Sequence, residues 1–187
     1  MSNHKHPRVT VQMASGGHYV FELYPEFAPN ACHSVIHLAA QGAYDGHEVG
    51  RIVPGFVIQP CFSEERRPAL DYSIDGEFAV NGFEGGMPME IGAVAMAGDG
   101  AKLSSGSSFF ITLGDHPRLP GRFTVIGKIV EGWEEVKRIE AVDTVPIDSG
   151  IPDVFINKPV TPEIMERITV ETFGVAYPLP VKSEQGL

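Results

Sequence analysis

The chain has 187 residues and carries 24 acidic against 14 basic side chains, a formal charge of −10. That length suits one domain with a real core, and so acidic a surface repels phosphate backbones, which argues against a nucleic-acid partner. No apolar run approaches the ~20 residues of a membrane helix, and the start "MSNHKHPRV" has no hydrophobic signal segment, so no membrane association is expected and the expected location is cytoplasmic.

From Val9 to Met13 and from Tyr19 to Leu23 apolar and polar residues alternate around "ASGG", the pattern of a β-hairpin. After Pro29 the spacing predicts an amphipathic helix ending near Gly42. Its apolar stripe is Cys32, Val35, Ile36, Leu38 and Ala39, with Asn30, His33, Ser34, His37 and Gln41 opposite. "GRIVPGFVIQ", residues 50–59, reads as a buried strand. Residues 62–92 are rich in Gly, Pro, Asp and Glu and read as a long excursion, extended only at "YSIDGEF". Strand-like runs return at "IGAVAMA", "SFFITL" and "FTVIGKIV". A second helix is expected over "GWEEVKRIEAV", with Glu134 four residues before Arg138 in the favourable order for an ion pair. A loop over 146–166 should precede a final strand at 167–174, and 178–187 should be a loose tail.

Many strands, two helices and no regular strand-helix alternation predict an all-β fold, a closed antiparallel β-barrel with helices over its ends. The two cysteines, Cys32 and Cys61, are too few for a disulfide scaffold and are expected as free thiols.

Three local patterns imitate sites and fail on inspection. His33 and His37 have zinc-helix spacing, but Ser34 stands where a metalloprotease needs Glu, and both imidazoles fall on the polar stripe. "DYSIDGEFAVNG" begins like a calcium loop, yet its twelfth place is Gly82 rather than a bidentate Glu. "GDGAKLSSGSS" contains neither G-K-[ST] nor a nucleophile elbow, and reads as a polar loop. No metal or other cofactor is expected.

Arg51 is the anomaly. An arginine at the start of an apolar run is almost never fully buried without a partner. "RIVPGFVIQ", "GAVAMA" followed by "SSGSSFFI", and "LPGRFTVIGKIVEGW" occur in an order and spacing that resemble the cyclophilins, the cyclosporin-binding peptidyl-prolyl cis-trans isomerases. "FELYPEFAPNACHSVIHLA" resembles that family's first strands and helix, and the ending resembles a divergent bacterial branch. The likeness covers roughly residues 9–145 and 167–174. It implies a closed eight-stranded antiparallel barrel with two capping helices, in one domain spanning 1–187.

The resemblance also implies residue roles. Arg51 matches the catalytic arginine and Gln59 the glutamine that holds it. Phe56, Val57, Phe110 and Leu119 match the proline pocket, and Phe123 stands where the family has His or Tyr. Ala97 and Gly98 fall where an Ala-Asn pair offers backbone groups to the residue before proline. Ser108 replaces a glutamine in the substrate groove, and Arg118 replaces a tryptophan or phenylalanine, so cyclosporin binding is expected to be weak. The implied partners are proline-containing peptides or protein clients, met by a monomer.

These residue types suit that reaction. Rotating an X-Pro bond breaks amide resonance against a barrier of ~18–20 kcal/mol. An apolar pocket destabilises the charge-separated planar amide, and a fixed guanidinium donates to the prolyl nitrogen as its lone pair returns. Two other readings compete: a proline-recognising binding module with little turnover, and a barrel holding a small apolar ligand. The bulky Val, Ile and Phe of the strands argue that the interior is already filled.

Overall fold

The computed structural model describes residues 5–60, 67–148 and 155–186. Strands β1 (Arg8–Met13) and β2 (His18–Leu23) form the expected hairpin, with Val9 opposite Phe21 and Val11 opposite Tyr19. Helix α1 (Pro29–Ala40) follows. The run at 50–59 is not one strand but parts of two, β3 (His47–Val53) and β4 (Val57–Pro60). Pro54 and Gly55 turn the chain between them: Gly55 has φ 71°, and the Phe56 N–H reaches the Val53 carbonyl at 2.9 Å, the geometry Pro-Gly favours.

Among its described residues the excursion contains β5 (Ser73–Asp75) and one 3₁₀ turn (Ala79–Asn81). Strands β6 (Ala93–Gly98), β7 (Leu103–Thr112) and β8 (Val125–Glu131) lead to helix α2 (Trp133–Glu140). The serine-rich stretch read as a loop is therefore mostly strand, leaving only 99–102 as the turn. The expected loop over 146–166 is also corrected. It contains a two-stranded ribbon, β9 (Thr144–Asp148) against β10 (Phe155–Pro159), and the final strand β11 starts earlier than predicted, at Ile164, and ends at Glu171. Alternation is weak in β9, where Pro146 interrupts the pattern.

Neighbouring strands run β4-β3-β11-β1-β2-β8-β6-β7, and β7 pairs back onto β4, closing an eight-stranded antiparallel barrel. Strand β5 adds to the free length of β7. The barrel and its two helices agree with the sequence-based expectation.

Period-2 alternation sorts residues between two apolar clusters. Val94, Met96, Phe109, Ile111, Ile126, Ile52 and Ile58 point inward and fill the barrel with Phe21, Tyr44 and the apolar stripe of α1. Their neighbours Ala93, Ala95, Phe110, Val125 and Val57 point outward and form a second cluster with Leu119. The unbroken apolar runs are thus explained: both faces of these strands are covered.

Ser34 departs from the expected polar stripe. It is fully buried, donates to the Gly106 carbonyl, and lies 2.5 Å from the Tyr72 hydroxyl. Since its one proton is committed, Tyr72 donates to it. The N-terminus of α1 has no side-chain cap of its own; Glu77 instead accepts the Asn30 and Ala31 N–H groups, each at 2.9 Å. Arg138 does not take up the expected Glu134 pair. It turns to Glu135 at 2.8 Å and to Glu163 at 2.6 Å, tying α2 to the segment before β11.

The C-terminal segment is not a loose tail. The Asn30 side chain exchanges two hydrogen bonds with the Val181 backbone, at 2.8 and 2.9 Å. The Ser183 N–H reaches the Ser73 carbonyl at 2.8 Å, and Lys182 lies 4.2 Å over the Tyr72 ring. Residues 177–185 form a strap across α1 and β5, held by scattered contacts with residues far away in sequence.

Cys32 is a free thiol with no exposed surface, and Cys61 lies outside the described residues. Burial first, and the nearby charge of Glu77 second, push the Cys32 thiol well above its ordinary value. Peptide mapping after treating the native protein with a thiol reagent should therefore find Cys32 unmodified, with reaction only on unfolding. Modification at the pace of a free thiol would show that α1 opens readily. Among the described residues no helix is long and apolar enough to cross a membrane.

Candidate active site

The outer apolar cluster includes Val57 and packs against Phe56, both in the β3–β4 hairpin that carries Arg51. In that hairpin Arg51 is directly opposite Gln59, an arrangement set by the tight Pro54-Gly55 turn, from which the register runs unbroken through Val53↔Val57 and Ile52↔Ile58 and slips only beyond Arg51. Both side chains share the outward face with Val57. The Arg51 Nη1–H donates to Gln59 Oε1 at 3.3 Å, and its Cζ lies 5.8 Å from the Phe56 ring centre. Arg51 is half-buried, and burial draws its guanidinium below its ordinary value. It nonetheless stays cationic at neutral pH.

Around this pair the predicted pocket residues do come together. Phe110 and Leu119 are buried in the outer cluster, and Phe56, Ala97 and Phe123 pack against it. Phe123 meets Phe110 edge-on at 5.4 Å, an arrangement aromatic pairs favour. Val57 lines the same face. Ala97 and Gly98 are half-exposed at the end of β6, where its ladder with β7 shifts register between Met96 and Gly98. The resulting surface has an apolar floor, one fixed cation and an adjacent strand end, which is what an amide with an apolar ring attached needs.

Ser108 lies at the margin of the site, with its hydroxyl engaged by Gln59 Nε2 at 3.2 Å. Arg118 is exposed on the loop just before Leu119. Sequence reasoning missed three contributors. His116 stacks on Phe56 with ring centres 4.3 Å apart, and Met87 and Met89 from the long excursion pack against the outer cluster. Only proximity of Asp115 to Pro120 to the pocket could have pointed to His116; nothing in the pattern of 62–92 marks the two methionines.

Surface hollows among the described residues also lie elsewhere. One of about 490 Å³ lies between Ile91, Val130 and Trp133, at the far end of β8. Another of about 540 Å³ lies beneath the excursion and shares Met87, Phe123 and Val125 with the outer cluster. Neither includes Arg51. The chemistry argues for the Arg51 surface, because there, among the described residues, a cation lies against an apolar floor. Among the described residues no group of three or more His, Cys, Asp or Glu side chains is placed to hold a metal ion.

Comparison with known proteins shows the family. The family model described as cyclophilin type peptidyl-prolyl cis-trans isomerase/CLD matches residues 8–169. Peptidyl-prolyl cis-trans isomerase B of Bacillus subtilis is 37% identical over 132 residues, covering 70% of this chain and 89% of its own. Isomerase CYP18-2 of Arabidopsis thaliana is 32% identical over 155 residues, covering 80% and 90%. In fold, a Cryptosporidium parvum cyclophilin type isomerase crystallised in the presence of the dipeptide Ala-Pro has a TM-score of 0.63. It is 24% identical and covers 88% of this chain and 98% of its own.

Proposed function

We propose how this chain, which belongs to the cyclophilin-type peptidyl-prolyl cis-trans isomerase family, carries out rotation about X-Pro bonds. The proline ring enters the outer apolar surface at Phe56, Val57, Phe110, Leu119 and Phe123, and Arg51 donates to the amide as it twists. The observation that carries this reading is the shared outward face of Arg51, Gln59 and the second apolar cluster. The ligand is a proline-containing peptide or an exposed proline segment of a protein client; the Ala-Pro dipeptide used with the Cryptosporidium relative supports that class.

The planar amide owes its stiffness to charge separated between oxygen and nitrogen, which water stabilises. Transfer to the apolar floor removes that stabilisation. As the bond rotates, the prolyl nitrogen becomes pyramidal and recovers a lone pair. Arg51 donates to that lone pair, a contact that exists only near the transition state and so lowers the barrier rather than merely tightening binding. The backbone at Ala97 and Gly98 holds the residue before proline, so that one end of the amide stays fixed while the other turns. No bond is made or cut, and no proton changes owner.

The magnitudes require several parts. An acceleration of about 10⁵ needs roughly 7 kcal/mol, whereas one charge-assisted hydrogen bond contributes ~1.5–3 kcal/mol. Desolvation and backbone positioning supply the rest.

The test is a titration of the isotope-labelled protein with a short Ala-Pro peptide, followed by NMR. Shifts should concentrate at Arg51, Phe56, Phe110, Leu119 and Phe123, together with faster cis-to-trans exchange of the peptide. Shifts confined to the hollow at Ile91 and Trp133 would overturn the placement. Binding at the outer surface with no faster exchange would instead describe a recognition module.

Cyclosporin is expected to bind weakly, because Arg118 has no indole donor and would have to lose hydration against an apolar ring. A competition assay on peptide exchange should need well above nanomolar drug, and inhibition at nanomolar concentration would refute this. The setting we infer is a cytoplasmic monomer, a compartment that suits a buried free thiol.

A further inference from the structure

We propose that Ser108, braced by Ser105, is a positioning residue that fixes Arg51 through Gln59; this rests on the reading of Arg51 given above. The donor and acceptor inventory dictates the direction of each bond. A guanidinium can only donate, so Gln59 must present its carbonyl oxygen to Arg51, at 3.3 Å. Its amide nitrogen then faces the other way and donates to Ser108 Oγ, at 3.2 Å. Gln59 is only 6% exposed, so water is a poor substitute for either partner.

Ser108 is itself held from behind. Between the pairings Gly98↔Ser104 and Met96↔Phe109 the ladder of β6 and β7 is irregular, and Ser105 to Ser108 lie in that interval. There Ser105 Oγ accepts the Ser108 N–H at 2.9 Å and the Ser107 N–H at 3.2 Å. Ser105 is anchored in turn by pairing with Ser73 of β5. The order is therefore strand β5, Ser105, the backbone at Ser108, its hydroxyl, the Gln59 amide and the Arg51 fork.

A long glutamine at position 108 would reach into the groove. A serine is too short for that, and its hydroxyl is turned to Gln59 instead. The role assigned to Ser108 is thus to hold the donor rather than the substrate, and the two roles predict different kinetics. Losing a substrate contact raises KM; losing alignment of a donor used only in the transition state lowers kcat.

Peptide exchange measured at several peptide concentrations for wild type, Arg51→Ala, Ser108→Ala, Ser108→Thr, Gln59→Leu and the Ser108→Ala/Gln59→Leu pair decides the matter. Ser108→Ala should lower kcat about three- to tenfold, the reach of one ordinary hydrogen bond, with KM within about twofold. Ser108→Thr, which keeps the hydroxyl, should recover most of the loss. The double variant should be no slower than Gln59→Leu alone, because the two residues act in series. A rise in KM alone, no change in Ser108→Ala, or multiplying losses in the double variant would overturn the proposal while leaving Arg51 in place. Full turnover by Arg51→Ala would overturn the underlying site as well, and thermal unfolding of each variant separates these outcomes from loss of fold.

Discussion

Arg51→Ala should lower kcat/KM for X-Pro isomerisation by about 10²- to 10³-fold, the typical cost of removing one preorganised transition-state donor. Arg51 is the cation at the outer apolar cluster whose position is fixed by a directly opposed partner, Gln59. Alanine removes the donor without disturbing the inward face of β3, where Ile52 packs the core. Thermal stability should therefore fall only modestly, through the buried Gln59 carbonyl that loses its donor. Arg51→Lys should fall between the two, since an ammonium keeps the charge but not the planar fork. NMR exchange of a proline tetrapeptide measures all three. Wild-type turnover in a folded Arg51→Ala protein would move the chemistry away from this hairpin.

The second large effect is one of stability. Gly98→Asn would install the residue that the family pattern leads one to expect after Ala97, and it should destabilise the protein by about 1–3 kcal/mol or more. A Cβ on Gly98 would lie 2.2 Å from the Leu103 carbonyl oxygen and 3.0 Å from the Ser104 Cα. Both obstacles are backbone and cannot rotate aside. The cause is the neighbouring turn: Asp99 Oδ1 accepts the N–H groups of Ala101, Lys102 and Leu103 at 2.8, 2.8 and 2.9 Å. The Asp99 N–H meets the Leu103 carbonyl at 3.2 Å, which folds that carbonyl over Gly98. A melting curve should shift down by roughly 2–12 °C for a domain of this size, and Gly98→Ala should show most of the same loss. If Gly98→Asn gained turnover with no loss of melting temperature, the turn would have to be open in solution.

Gly98 also shows where sequence reading stops. The barrel was legible because β1 and β2 alternate, β6, β7 and β8 read as short apolar runs, and turn residues punctuate them. Arg51, Gln59, Phe56, Val57, Phe110, Leu119 and Phe123 were legible as a group from their order and spacing. The role of Ser108 was not, because the partner of a short hydroxyl depends on which way a glutamine across the barrel wall is turned. His116 escaped for a similar reason: stacking on Phe56 is a tertiary contact between the β3–β4 turn and the loop after β7. The ribbon of β9 and β10 rests on backbone hydrogen bonds, which any side chain permits and none announces, and the C-terminal strap on single contacts between residues roughly 100 to 150 positions apart, such as Asn30 with Val181, which no local pattern marks.

The order of strands in the barrel has a consequence for biosynthesis. Strand β11 lies between β1 and β3, so the seam joining the first part of the chain to the rest is the last to be made. Until Ile164–Glu171 leaves the ribosome, β1 presents an unpaired edge and the Val9, Val11 and Met13 side chains lack the neighbours Met165 and Ile168 that complete their packing. Pairing partners so distant in sequence make for slow closure and an interval of exposed edge. The barrel thus cannot close during most of its own synthesis, and shortening the chain from the C-terminus past Glu171 should yield aggregation rather than a smaller active domain.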